Sequence, residues 1–229
     1  MIGRGVIFDM DGLLIDSERA ALTCWREAAA AQSLVMDDTL WLSMVGLHEA
    51  GCAELMNDLL GAEQAERLTL ACKHRYDVLL EQGLPLKPGV RALLQDLAHL
   101  AVPMAIATST RGDRARIKLA RSGIAHFFDH VVTSSDVTHA KPAPDLYLLA
   151  AERLGIPPSE CIALEDSEFG VRAAAAAGLR VIQVPDLAPA SELSRSLATV
   201  VCDMEAARPL IESWLGISIA QNGRAVGAT

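Results

Sequence analysis

No apolar stretch in this 229-residue chain approaches the roughly 20 residues needed to cross a bilayer. Nor does the N-terminus join a charged segment to an apolar one, so no secretory leader is expected. Cysteine is sparse: Cys24, Cys52, Cys72, Cys161 and Cys202 are odd in number and widely spaced, with no CxxC pair. This argues against a zinc ribbon or a thioredoxin-type site and predicts free, buried thiols in a reducing cytoplasm. Basic residues are the minority, 20 Lys plus Arg against 29 Asp plus Glu, for a formal charge of −9. A nucleic-acid surface is therefore not expected, although a local basic pocket for one phosphate is permitted. Aromatics make up only 4% of the chain, while 51% of it is hydrophobic. That balance suits a soluble globular protein, cytoplasmic and without a membrane partner, with one or two domains and a substantial core.

Five runs read as buried strands: Val6–Phe8, Pro103–Ala107, His130–Thr133, Cys161–Leu164 and Val181–Val184. Helical patterns lie between the later ones. Pro88 and Gly89 open a helix with Val90, Leu93, Leu94, Leu97 and Leu100 at helical spacing. A second runs from about Asp113 to Ser122 and stops at Gly123; a third, Val171–Ala177, stops at Gly178. Such alternation predicts an α/β fold with a doubly wound parallel sheet. From about Ser17 to Gly83 the pattern is instead wholly helical. Trp25, Leu34, Leu42, Leu55, Leu59, Leu68, Cys72, Tyr76 and Leu79 are the candidates for a small core there. The predicted organisation is a core of residues 1–16 and 87–229, a helical lid of residues 17–86, and a flexible tail at 220–229.

The chemistry gathers at the strand ends. Asp9 and Asp11 follow the first strand in Asp9-Met10-Asp11-Gly12. An EF-hand is excluded because the twelfth loop position, Ala20, cannot supply the bidentate acid. Thr108 and Ser109 follow the second strand, with hydroxyls and N–H groups suited to phosphate oxygens. Lys141-Pro142 offers a compact cation, and Glu165-Asp166 ends a further strand with two acids suited to Mg²⁺. A nucleophile, a proton donor, a hard cation and neutralisation of phosphate oxygens are the needs of phosphoryl transfer. Asp145 is expected to cap the helix after Lys141-Pro142, and Lys73-His74-Arg75 to be a solvated helix face.

This ordered set resembles the haloacid dehalogenase-like superfamily, and more closely its β-phosphoglucomutase-like sugar phosphatases. The resemblance implies a Rossmann-like core with a type-1 helical cap. It implies that Asp9 attacks phosphorus to form an aspartyl-phosphate, and that Asp11 protonates the leaving alcohol and later deprotonates water. Mg²⁺ would be held by Asp9, the Asp11 main-chain carbonyl and Asp166, with Glu165 a ligand directly or through water. Thr108 and the Ser109 N–H would grip the phosphoryl group, and Lys141 would neutralise it. Gly46, His48 and Glu49 in the cap, with Thr110 and Arg111, would choose the leaving group; Arg111 could instead merely open a helix.

The pattern also departs from the mutases it resembles. Their histidine after the first motif is alanine here, their cap lysine is Val45, and their cap arginine is Glu49. An acid where a second phosphate would bind repels it. The expected activity is therefore hydrolysis of a small phosphorylated metabolite by a monomeric enzyme. A phosphosugar mutase and a phospho-acceptor module without turnover are the alternatives.

Overall fold

The computed structural model describes residues 3–44 and 49–218, without the side chains of residues 38, 42, 43, 49 and 50. Gly46 and His48 lie outside the described residues, as do residues 220–229 and the Glu49 side chain. Six parallel strands form one sheet in the order β3-β2-β1-β4-β5-β6. They are β1 Gly5–Phe8, β2 Met104–Ala107, β3 His130–Val132, β4 Cys161–Glu165, β5 Arg180–Gln183 and β6 Thr199–Val200. β1 lies centrally, with Val6 opposite both Met104 and Ile162. The two-residue β6, which pairs Thr199 with Ile182, was not among the five expected strands. So short a run carries no legible periodicity.

Alternation along each strand builds two cores. On one face Ile7, Ala105, Ala107, Ala163 and Val181 meet α7 (Asp145–Leu154) and α8 (Glu168–Ala176). On the other, Val6, Phe8, Met104, Ile106, Ile162 and Leu164 meet α5 (Val90–His99), α6 (Gly112–Arg121) and α10 (Met204–Leu215). A last helix, α9, spans Glu192–Leu197. Covering both faces explains why β1, β2 and β4 are buried at every position.

Between β1 and α5 the chain is helical, as the sequence predicts: α1 Ser17–Ala31, α2 Asp38–Ser43, α3 Glu49–Leu60 and α4 Ala62–Gln82. Leu68, Cys72 and Tyr76 are buried, joined by Cys24, Trp41, Met44 and Met56. Trp25 stacks on Trp41 with ring centres 6.1 Å apart. Leu59 is a correction, since it is 55% exposed on α3. So is Cys202, which is exposed although buried thiols were expected. No helix among the described residues is long and apolar enough to cross a membrane.

The chain passes between the sheet and the inserted helices twice, and the two passages lie side by side. Asp16 N–H donates to Pro85 O and Lys87 N–H to Leu14 O, each at 2.9 Å, flanking an Ile15–Leu86 bridge. Arg19 from α1 (2.5 Å) and Lys87 both reach Oδ1 of Asp186, whose side chain is 2% exposed. Its Oδ2 has no hydrogen-bond partner among the described residues. Removing that carboxylate leaves two cations with only Asp16 between them, at 2.9 Å from Arg19 and 3.7 Å from Lys87. Asp186→Ala is therefore expected to lower stability by about 1.5–3 kcal/mol, seen as a lower urea midpoint at unchanged slope.

Candidate active site

The C-terminal ends of β1, β2 and β4 converge, and each delivers polar side chains there. Asp9 follows β1, and Glu165 ends β4 with Asp166 next to it. Carboxylate oxygens of Asp9, Glu165 and Asp166 all lie within 4.8 Å of one another. Lys141, which precedes a cis bond to Pro142, enters between them, its Nζ 2.5 Å from Asp9 Oδ1 and 2.5 Å from Glu165 Oε1.

Glycines make the cluster possible. A Cβ on Gly12 would lie 2.2 Å from Asp166 Oδ2, and one on Gly170 only 1.8 Å from Glu165 Oε1. Gly12 also has φ +78°, a backbone conformation that disfavours other residues. Glu165 is fully buried and saturated with donors. Lys141 and the Tyr147 hydroxyl (2.6 Å) bind Oε1, while Asp166 N–H, Ser167 N–H and Ser167 Oγ bind Oε2. Gln183 Nε2 donates to the Asp166 carbonyl at 3.0 Å.

Burial drives Asp9 up to about 8, against the opposing charge of Lys141, with Glu165 and Asp11 adding to the rise. Asp166 is raised well above the carboxylate range by burial and by the charges of Asp9 and Glu165. Burial alone would lower Lys141, but Asp9 and Glu165 outweigh it and raise its pKa, keeping it charged. One lysine cannot neutralise three carboxylates, so a hard divalent cation fits this oxygen cluster.

Asp11 occupies a separate pocket beside this cluster. Lys118 Nζ (2.5 Å) and Ser17 Oγ (2.6 Å) reach its Oδ1, and Thr110 Oγ1 (2.5 Å) reaches its Oδ2. Burial favours its neutral form, but Lys118 and these hydrogen bonds prevail and hold it below the usual value. Thr108 is buried, its N–H bonded to Val132 O and its Oγ1 accepting from Thr110 N–H. Ser109 is exposed beside it. Arg111 takes the N-cap position of α6 and is exposed.

Two expectations nearby change. Asp145 opens α7 without capping it, and its Oδ1 meets His139 Nδ1 at 3.2 Å instead. The N-cap position belongs to Pro144. Ser17, Lys118, Tyr147 and Gln183 were not anticipated. Lys118 had a legible signal, a cation on the buried stripe of α6 beside Ala115 and Leu119. Tyr147 had none, because an aromatic on a buried helix face reads as core.

Two outcomes follow from the cluster. Gly170→Ala should cost about 1–3 kcal/mol of stability through forced displacement of Glu165, measurable by urea unfolding. Without metal, folded Asp9 titrates near 8 and unfolded Asp near 3.8, so its folded state holds the proton longer. Its contribution to stability is full below the unfolded value and falls as pH rises through 8. In EDTA the Tm should drop between pH 5 and pH 8, and excess Mg²⁺ should reduce that drop.

A profile of the haloacid dehalogenase-like hydrolases matches residues 4–178. Fructose-1-phosphate phosphatase YqaB of Escherichia coli is 34% identical, over 79% of this chain and 95% of that protein. A phosphorylated carbohydrates phosphatase of Thermotoga maritima is 33% identical, over 78% and 83% respectively. Among solved structures, a HAD family hydrolase of Deinococcus radiodurans with bound phosphate and sodium superposes with a TM-score of 0.81. It is 26% identical, and the match covers 95% of this chain and 98% of that one. With its motifs at the matching strand ends and helices inserted after the first, this chain belongs to the haloacid dehalogenase-like hydrolases.

Proposed function

We propose that the protein is a Mg²⁺-dependent phosphomonoester hydrolase acting on a sugar phosphate through an aspartyl-phosphate intermediate. The observation that carries this reading is Lys141 bridging Asp9 and Glu165 with Asp166 alongside, at the end of the central strand. Relatives named as phosphatases of fructose-1-phosphate and of phosphorylated carbohydrates support the substrate class.

Asp9 is the nucleophile. Its carboxylate oxygen attacks phosphorus, the bond to the leaving oxygen breaks, and that oxygen takes a proton from Asp11, which must carry that proton against the charge of Lys118 that lowers its pKa. Asp11, now ionised, removes a proton from a water that attacks the phosphorus of the acyl phosphate. Inorganic phosphate leaves and Asp9 is restored. Lys141 opposes the burial that drives Asp9 toward its neutral form, so that with the metal's charge the attacking carboxylate is ionised, and it offsets charge on the phosphoryl oxygens. Thr108 and the Ser109 N–H hold those oxygens.

The Asp9 and Asp166 carboxylates and the Asp11 carbonyl would hold Mg²⁺, with Glu165 as a ligand directly or through water. With five donors already on Glu165, its stronger role is anchoring Lys141 and Tyr147. The metal, when bound, supplies positive charge to the attacking carboxylate and the transferring phosphoryl group.

In this reading residues 17–86 cap a core of residues 1–16 and 87–229, excluding water while the acyl phosphate forms. The enzyme works as a cytoplasmic monomer. Gly46, His48, Glu49, Thr110 and Arg111 select the leaving group, and Glu49 disfavours a second phosphate.

The test is phosphate release from a panel of sugar phosphates, with Mg²⁺ or EDTA. Wild type should release phosphate only with Mg²⁺, Asp9→Asn should lose at least about 10³-fold, and added sugar bisphosphate should yield no isomerisation. No release from any member, or full activity in Asp9→Asn, overturns the proposal.

A further inference from the structure

Lys118 is a buried cation in the sheet-side half of the molecule that the family motifs leave without a task. It lies on the inward stripe of α6, its side chain 8% exposed, where Ala115 and Leu119 are ordinary core residues. Burying an ammonium there is costly unless it is paired, and its partner is Asp11, 2.5 Å away.

Around Asp11, Lys118 and Ser17 donate to one oxygen and Thr110 to the other. Three donors, from two helices and a loop, fix both the rotamer and the plane of that carboxylate. Ser17 begins α1, Thr110 follows β2 and Lys118 belongs to α6.

Lys118 is itself held from the inserted helices. Its Nζ lies 5.5 Å from the centre of the Tyr76 ring on α4, and Arg114 stands 5.5 Å from the same ring. Arg114 is further tied to Asp77 of α4 at 3.0 Å. A contiguous path thus runs from α4 through Tyr76 and Lys118 to Asp11.

Building on the phosphatase reading above, we propose that Lys118 is the positioning residue of Asp11. It aims the carboxylate at the water that hydrolyses the aspartyl-phosphate, and Tyr76 of α4 holds the ammonium in place. Lys118 touches neither substrate nor phosphate. The carboxylate takes the proton as the water oxygen bonds to phosphorus and the bond from phosphorus to Asp9 breaks.

The discriminating substrate is p-nitrophenyl phosphate, whose leaving group departs without help from an acid. Formation of the acyl phosphate then survives loss of positioning, while its hydrolysis does not. For Lys118→Met with Mg²⁺, kcat should fall about 10- to 100-fold, the range expected for a misaimed catalytic group. KM should fall in parallel, leaving kcat/KM within about threefold of wild type. A burst of p-nitrophenol near one equivalent of enzyme should appear, matched by acyl phosphate trapped with hydroxylamine. Lys118→Arg should recover most of kcat, and Tyr76→Phe should lower kcat less than Lys118→Met does, because it keeps the ring but loses the hydroxyl that also reaches the ammonium. If Lys118→Met does not fold, Lys118→Gln carries the same expectations.

A fall in kcat and kcat/KM together without a burst would mean a purely structural role and overturn the proposal. Unchanged kcat would overturn it equally. Wild type that releases no p-nitrophenol with Mg²⁺ removes the phosphatase reading itself, and this inference with it. Active wild type with no burst in the variant removes only the role of Lys118.

Discussion

Asp9 and Asp166, buried against each other beside Glu165 and a single lysine, are both driven toward their neutral forms unless further positive charge arrives. Much of the surrounding chain is arranged around that imbalance. β1 and β4 are neighbours in the sheet, so their ends deliver the acids to one point. Gly12 and Gly170 leave the room that two of the carboxylates occupy. Tyr147 and Ser167 satisfy the lone pairs of Glu165, which fixes the place of Lys141. Like charges gathered this closely destabilise a fold, and they persist here because the scaffold over-determines their positions.

Asp11 shows how environment separates two acids that are one residue apart. Asp9 points toward other carboxylates and is pushed toward its neutral form. Asp11 points toward a lysine and two hydroxyls and is held ionised. The backbone between them is short, and the divergence comes from which distant segments each side chain meets. α6 and α4 meet at this second pocket, where Arg114 with Asp77 and Arg121 with Glu81 form ion pairs across the junction. The inserted helices and Asp11 therefore meet at one boundary. The two side-by-side chain passages meet elsewhere, at Asp16 and Lys87 with Asp186.

Much of this was legible in the chain. The apolar run of Val6–Phe8 predicted the central strand because a strand covered on both faces needs apolar residues at successive positions. Asp9-Met10-Asp11-Gly12, Thr108-Ser109 and Glu165-Asp166 each lay at a strand end, Lys141-Pro142 in the loop after β3, and parallel strands bring their C-terminal ends to one edge. Gly12 belonged to a motif, but its clash with Asp166 could not be inferred from sequence neighbours. The length of α4, the exposure of Leu59 and the brief β6 were not legible, because tertiary packing rather than local periodicity decides them.

The sequence by itself determined the first five strands and the helices between most of them, the inserted helical segment, and the acids, hydroxyls and lysine of the motifs. These follow from local periodicity and from residue chemistry at fixed positions. Only the tertiary structure decided that Lys118 faces Asp11 rather than solvent, that Glu165 is saturated with donors, and that Asp186 receives cations from both chain passages. The contacts of Lys118 with Asp11 and of Lys87 with Asp186 span 107 and 99 residues. No local pattern encodes them, because they arise when separate elements close on a common core.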